Sequence, residues 1–325
     1  MAGIIRVAAA ALNQTPLDWD GNAERIRQAV SEARIKRVGV LCLPELCITG
    51  YGCEDAFLSL GTCRTAALQL ERLVPDTQGM VVAFGLPILH REQLYNGAAL
   101  AVDGQLVGIV GKQNLAGDGL HYEPRWFHPW PNNRVEAWDR DGMAVPLGDL
   151  LFDIHGVRLG FEICEDAWVL QRPGTELARG GVDLLLNPSA SHFAFGKHAI
   201  REQLVCDGSR AFGAAYIYAN LIGNEAGRSI YDGDCLIASE GRILAAGPRL
   251  GYRDVYLTTA DIDLDAIRAS RLRERHTQPD WEGGLAGNVS VNFAIPRNEV
   301  GTTSVPATTT PWEDSKYLKE EEFTR

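Results

Sequence analysis

The chain has 325 residues, 46% of them hydrophobic and 22% charged, an ordinary balance for a folded globular protein with one large core or two smaller ones. Lys and Arg number 31 against 42 Asp and Glu, a formal charge of −11, which argues against nucleic acid or an anionic membrane as partner. No apolar run approaches about 18 residues, so no transmembrane helix is expected; the seven cysteines lack a Cys-x-x-Cys pair, which indicates neither a disulfide framework nor a zinc site and fits the reduced thiols of a cytoplasmic protein.

Ile4–Leu12 is apolar and Ala-rich with no cluster of positive charge before it, and reads as a first strand rather than a signal peptide. A helix is expected from about Asp20 to Arg34, where Ile26, Ala29, Val30 and Ala33 share one face. Val38–Leu43 is a short continuous apolar run, the pattern of a buried strand. Pro44 cannot donate to a ladder, so the strand ends there and leaves Glu45 at its mouth. Cys42, Cys47 and Cys53 lie close in sequence, but no His-rich segment accompanies them and no metal site is expected. Cys63–Leu73 has a helical pattern and Met80–Leu86 returns to β structure. In Tyr95–Lys112 two apolar runs flank Asp103-Gly104, a dipeptide that tolerates the positive φ angles of a two-residue hairpin turn. The second run, Leu106–Gly111, delivers Lys112 to its end.

Val157–Ile163 reads as a further strand that stops at Cys164 and turns acidic at Glu165-Asp166. Acidic residues before Ala167-Trp168-Val169-Leu170 fit the start of a helix. A nucleophile on such a corner is exposed, with backbone N–H groups beside it. Glu162, Glu165 and Asp166 would raise the thiol pKa, because nearby negative charge disfavours a thiolate. A reactive Cys164 therefore needs a cation from elsewhere, and Lys112 can supply it. Strand Asp183–Asn187, a helix over Lys197–Phe212 with Ile200, Leu204 and Val205 inward, strand Tyr216–Ala219 and a hairpin near Ser239-Glu240-Gly241 continue the α/β alternation. Thr302–Pro311 is a Thr/Pro-rich linker before charged Glu313–Arg325, which divides the chain into a domain at 1–300 and a tail at 301–325.

Taken singly, Cys164 reads as a buried structural thiol, Lys112 as a solvated strand-end charge and Glu45 as a loop acid. Together they say more. Glu45 in LCLPELCITGYG, Lys112 in GKQNL and Cys164 in GFEICED, each ending an apparent strand, resemble the Glu-Lys-Cys triad of the nitrilase (carbon–nitrogen hydrolase) superfamily. The segments FGLPILHREQLYNGAALAVDGQLVGIVGKQNL, HYEPRWFHPW, NPSASHFAFGKHAIREQLV and YANLIGNEAGRSIYDGDCLIASEGRILAAG are most similar to its glutaminase branch, that of glutamine-dependent NAD synthetases, over about residues 4–270.

The resemblance implies an αββα sandwich, two mixed β-sheets flanked by helix layers, usually paired into dimers across helices. It implies Cys164 as nucleophile on the side-chain amide of glutamine, Lys112 with the backbone N–H of Glu165 at the oxyanion, and Glu45 as proton shuttle, with no cofactor or metal. Glu123 matches a supporting carboxylate, Tyr51 and Phe127 the walls of the substrate pocket, and Ser189 and Arg201 polar contacts to the amino-acid end of glutamine. The expected partner is an ATP-dependent NAD synthetase domain or subunit. The chain holds neither a Ser-Gly-Gly-x-Asp-Ser loop nor a Gly-x-x-x-x-Gly-Lys-Ser/Thr loop, so only the ammonia-releasing half of such a synthesis is expected of it. The tail Trp312–Arg325 reads either as a tether to that partner or as a solvated end.

Two other readings stand beside this one: a stand-alone amidase acting on another small carboxamide, and a catalytically idle assembly module. The intact triad argues against the second. His192 is the best candidate for a Cys–His dyad, but a Cys-Gly-Ser-Cys-Trp signature is missing. No Gly-x-Ser-x-Gly elbow occurs, and the run Gly283-Gly284-Leu285-Ala286-Gly287 neither follows a strand nor opens a helix as a dinucleotide fingerprint would.

Overall fold

The computed structural model describes residues 3–140, 142–225, 228–274, 287–298 and 311–325. Its first strand, Ile4–Leu12, shows how the layers arise. Ile5, Val7, Ala9 and Ala11 point into one core, while Ala8, Ala10 and Leu12 point into another. A strand buried on both faces must be apolar at every position, which is why the run shows no alternation. The small alanines let both neighbouring layers approach closely.

That strand lies inside a nine-stranded mixed sheet. Val255–Asp263 pairs with it antiparallel along its whole length, from Ile4↔Asp263 to Leu12↔Val255, and Val40–Cys42 pairs with it in parallel. Val81–His90, Gln93–Val102 and Gln105–Gly111 follow outward, the last two joined by Asp103-Gly104 with φ of 49° and 77°. These angles are the left-handed pair that a tight hairpin requires. The second sheet has seven strands around a parallel trio, Val157–Phe161, Leu184–Pro188 and Ala215–Ala219.

The inner faces of the two sheets share one core, in which Val7, Val81 and Leu100 meet Leu159, Leu186 and Ile217. Helices Trp19–Ile35 and Leu60–Leu73 cover the outer face of the first sheet, and Gly174–Arg179 and Lys197–Phe212 cover the second. The architecture is the expected αββα sandwich. Among the described residues no helix is long and apolar enough to cross a membrane.

Two expectations change. After Cys164 the chain makes a single 3₁₀ turn, Cys164–Ala167, and the next helix starts only at Gly174. One turn has too few aligned peptides for an appreciable macrodipole. The helix Lys197–Phe212 is rotated from its apolar reading: Arg201, Val205, Ser209 and Phe212 are buried, Leu204 is half-buried and Ile200 is 53% exposed. Its inward side carries Arg201, whose guanidinium is paired with the buried carboxylates of Asp232 and Asp234. Residues 302–310 of the Thr/Pro-rich linker lie outside the described residues, as do residues 283–286 of the Gly-rich run, whose Gly287 opens a strand.

The segment after the linker packs back on the domain. Trp312 is buried beneath the guanidinium groups of Arg249 and Arg325. Glu322, in the short helix Leu318–Thr324, accepts a hydrogen bond from Arg249 Nη2 at 2.6 Å. Phe323 joins Phe193, Ile230, Tyr231 and Tyr252 along a groove of about 420 Å³.

Candidate active site

Three strands of the two sheets each end in one of the triad residues. Val40–Cys42 is followed by Leu43 and Pro44, which turn the chain and place Glu45 over Gly85. A Cβ at Gly85 would lie 2.3 Å from the Leu46 nitrogen and 2.6 Å from the Pro44 oxygen, so only glycine lets this turn cross the sheet. Gln105–Gly111 delivers Lys112, and Val157–Phe161 runs through Glu162 and Ile163 to Cys164. The Cys164 backbone has φ of 46°, an unusual conformation for a side-chain-bearing residue that presents the thiol on a sharp corner.

Lys112 is fully buried and donates to Glu45 Oε1 at 2.6 Å and to Glu123 Oε1 at 2.8 Å. Asn96 Nδ2 donates to the same Glu45 oxygen at 2.7 Å, while Glu45 Oε2 makes no hydrogen bond among the described residues. Glu123 is held in turn by the Ala116 N–H at 3.1 Å and by the Tyr51 hydroxyl at 2.8 Å. Burial works against the Lys112 ammonium, but Glu123 and Glu45 outweigh it and hold its pKa well above the usual value. Burial pushes Glu45 up to about 7, with Lys112 opposing and Glu123 adding to the rise. A carboxyl group poised there takes and returns protons near neutrality.

Burial also raises the Cys164 thiol, with Glu45 next in effect, Lys112 opposing and Glu123 adding to the rise. The charges that govern the thiol are therefore those of the cluster, rather than the neighbours Glu162, Glu165 and Asp166 that its sequence context suggested. Glu162 faces away and is bound by Arg172 Nη2 at 2.6 Å, by the Tyr216 hydroxyl at 2.6 Å and by the Gly174 N–H at 2.9 Å. Asp166 accepts from the Asn114 N–H at 2.8 Å, the Ile163 N–H at 3.0 Å and the Asn114 side chain at 3.0 Å. It thus staples the loop after Lys112 to the turn that carries Cys164.

Of the remaining sequence candidates, the structure brings Glu123 and Tyr51 to Lys112 and places Glu165 next to the thiol. Phe127 is buried in a neighbouring aromatic cluster, its ring 4.9 Å from that of Phe57, with Tyr51 packed against the same cluster. Ser189 is buried behind Glu45: its carbonyl accepts from the Glu45 N–H at 3.3 Å and its hydroxyl donates to Asn187 at 2.6 Å. Arg201 is not brought to the cluster. Its Nη1 binds Asp232 at 2.8 Å and Asp234 at 3.0 Å, while Nη2 binds the carbonyls of Ser191 at 3.0 Å and His192 at 2.9 Å. A guanidinium with its donors so engaged clamps the loop 191–192 and has little left for a substrate.

Sequence reading missed three neighbours of the cluster, Asn96, Lys197 and His121, and weighed His192 only for a Cys–His dyad. Asn96 was hidden in a hairpin strand, where a polar residue in an apolar run is the signal. Lys197 was read as the start of a helix; its ammonium is half-buried, stands 5.8 Å over the Trp168 ring, and interacts electrostatically with Cys164 and Glu165. His121, 2.9 Å from the Tyr51 hydroxyl, and His192, 2.9 Å from His121, complete the surround. Among the described residues no group of His, Cys, Asp and Glu has an arrangement that could hold a metal ion.

Comparison with known proteins bears on this geometry. The carbon–nitrogen hydrolase family profile matches residues 6–272. A putative glutamine-dependent NAD(+) synthetase of Schizosaccharomyces pombe is 31% identical over 340 aligned positions, covering 100% of this chain and 48% of the relative. The glutamine-dependent NAD(+) synthetase of Saccharomyces cerevisiae is 34% identical over 282 positions, covering 83% of this chain and 40% of the relative. The chain thus spans less than half the length of these relatives. The crystal structure of a glutamine-dependent NAD(+) synthetase from Cytophaga hutchinsonii superposes with a TM-score of 0.75 at 46% identity, over 80% of this chain and 43% of that one. An amidase from Nesterenkonia shares the fold, with a TM-score of 0.65 at 22% identity over 85% of this chain and 96% of its own.

Proposed function

Because the chain belongs to the carbon–nitrogen hydrolase family, we propose that it hydrolyses the side-chain amide of glutamine and serves as the ammonia-releasing part of a glutamine-dependent NAD synthetase. The observation that carries this reading is the buried cluster in which Lys112 joins Glu45 to Glu123 and all three charges act on the Cys164 thiol. The similarity to glutamine-dependent NAD(+) synthetases supports the choice of amide.

In this mechanism Glu45, as carboxylate, takes the Cys164 proton as sulfur attacks the amide carbon. Lys112 and the Glu165 N–H stabilise the oxyanion; one such donor is worth about 100- to 1000-fold in rate. Glu45 then protonates the departing nitrogen and later activates water against the thioester, work worth roughly 100- to 10,000-fold. Glu123, Asn96 and Tyr51 hold Lys112 and Glu45 in place. Lys197 provides the cation for the α-carboxylate of glutamine, the task Arg201 cannot perform while bound to Asp232 and Asp234. A synthetase portion, in the same chain or another, is the ammonia acceptor.

Ammonia release from glutamine by the purified chain tests the proposal. Glutamine is expected to be hydrolysed far faster than butyramide, because a site that pairs the amino-acid end leaves polar groups unpaired with a plain amide. Equal rates on the two would replace glutaminase with a general amidase. An inert chain would refute hydrolysis altogether.

A further inference from the structure

The side chains that hold Lys112 continue outward from the active site. Glu123 Oε1 accepts from the Tyr51 hydroxyl at 2.8 Å, that hydroxyl lies 2.9 Å from His121 Nδ1, and His121 Nε2 lies 2.9 Å from His192 Nδ1. With Glu45–Lys112 at 2.6 Å and Lys112–Glu123 at 2.8 Å, an unbroken chain joins a fully buried carboxylate to a half-buried histidine. Among the described residues both contacts of the half-buried His192 ring fall on Nδ1, from His121 Nε2 at 2.9 Å and Lys197 Nζ at 3.4 Å, which leaves Nε2 as the outward end.

The proposed glutaminase reaction, on which this inference rests, creates a need for such a path. In acylation the C–N bond breaks, a C–S bond forms, and the thiol proton leaves with ammonia. In deacylation water adds, the C–S bond breaks, the thiol is restored and a carboxylic acid is formed. At neutral pH that acid ionises to glutamate. When ammonia leaves as neutral NH3, the form with a lone pair for an acceptor, one proton per turnover stays behind. Glu45, Lys112, Glu123 and Cys164 are all buried, so a fixed path of side chains to solvent would carry it out while the acyl group and products fill the pocket.

We propose that Tyr51, His121 and His192 carry this proton from Glu123 to solvent. At rest the Tyr51 hydroxyl donates to Glu123; when Glu123 takes a proton, the Tyr51 hydrogen turns to His121 Nδ1 and the His121 Nε2 proton points at His192 Nδ1. A proton arriving on Glu123 passes to the Tyr51 oxygen, and the Tyr51 proton moves to His121 Nδ1. The His121 Nε2 proton moves to His192 Nδ1, and the His192 Nε2 proton leaves to water. Afterwards Tyr51 donates to Glu123 and each imidazole carries its proton on Nδ1, a state that satisfies the same three contacts while the Lys197 ammonium, 3.4 Å from His192 Nδ1, gives up that nitrogen as acceptor. No heavy-atom bond changes, no charge remains on the relay, and tautomer exchange resets it.

Both rings must be neutral for this to work. Burial, then the neighbouring His192, lowers His121 to about 4; burial, then Lys197 and Arg201, lowers His192. The charged groups facing the pair are Lys112, Lys197 and Arg201 against Glu123 and Asp232.

Glutamine hydrolysis by the wild-type chain, His192→Gln, His192→Ala and His121→Phe, in H2O and in D2O, tests the relay. Glutamine at position 192 keeps a hydrogen-bonding side chain but cannot pass a proton through itself. Each variant is expected to lose about tenfold or more in kcat with KM unchanged. Its solvent isotope effect should grow, and acylated Cys164 should accumulate, because deacylation frees the proton. Imidazole should restore His192→Ala. Wild-type kcat and isotope effect in His192→Gln, or a His192→Ala chain that imidazole does not restore, would overturn the relay alone. A wild-type chain inert to glutamine would instead overturn the glutaminase reading, and the relay with it.

Discussion

Glu45 sets the most direct test of the electrostatics. The raised Cys164 pKa favours the protonated thiol in the resting site, so the proposed attack requires Glu45 as carboxylate to accept its proton. With Glu45 at about 7, kcat/KM for glutamine should fall roughly tenfold for each pH unit below that value. Glu123→Gln then provides a signed perturbation. The two carboxylates bind the same ammonium at 2.6 and 2.8 Å, so their bound oxygens are no more than about 5.4 Å apart. At an effective dielectric of about 20, unit charges at that distance repel by about 3 kcal/mol, equivalent to about two pH units. Side-chain relaxation reduces this, and the acidic limb of Glu123→Gln should move down by about one to two pH units. A pH series of initial ammonia-release rates at subsaturating glutamine measures the limb directly. The height of the profile will also fall as Lys112 loses a partner; only its position matters here. A limb that stays near 7 in the variant, or a wild-type profile flat from pH 5 to 9, would refute Glu45 as the base coupled to Glu123.

Cys164→Ala should abolish ammonia release by several orders of magnitude while leaving the circular dichroism unchanged, since only one sulfur is removed; residual turnover near wild type would dismiss the nucleophile. Glu45→Gln should be inactive and yet gain thermal stability at pH 8 relative to pH 5. A carboxyl raised by burial contributes stability below its unfolded value of about 4.3 that is lost as pH rises through about 7, and glutamine has no such loss; melting curves at the two pH values decide it. Lys197→Met should raise KM for glutamine by about tenfold or more while leaving butyramide kinetics nearly untouched, because only the former carries a carboxylate; parallel losses on both substrates would deny Lys197 that contact. Glu322→Ala should free the Trp312–Arg325 segment for limited proteolysis, since it removes the 2.6 Å bond to Arg249; unchanged cleavage kinetics would show that the packing of Trp312 and Phe323 holds it without that bond.

The local elements were legible because periodicity and turn chemistry act over a few residues. Strand ends at Pro44, Lys112 and Cys164, the Asp103-Gly104 hairpin and the helix Lys197–Phe212 all follow from short patterns. The sequence by itself determined that three chemically suited side chains stand at strand ends, and their family resemblance supplied the sandwich. Which charges reach the thiol was a different matter. Lys112 and Glu45 are 67 residues apart and His121 and His192 are 71 apart, so no window of sequence displays either pair. Electrostatic influence depends on separation and burial in space, which is why Glu162, two residues from Cys164, is turned to Arg172 while distant Glu45 is the strongest charge acting on the thiol. The same reason separates Arg201 from Lys197, four residues apart on one helix. Tertiary contacts committed the first to Asp232 and Asp234 and left the second facing the site.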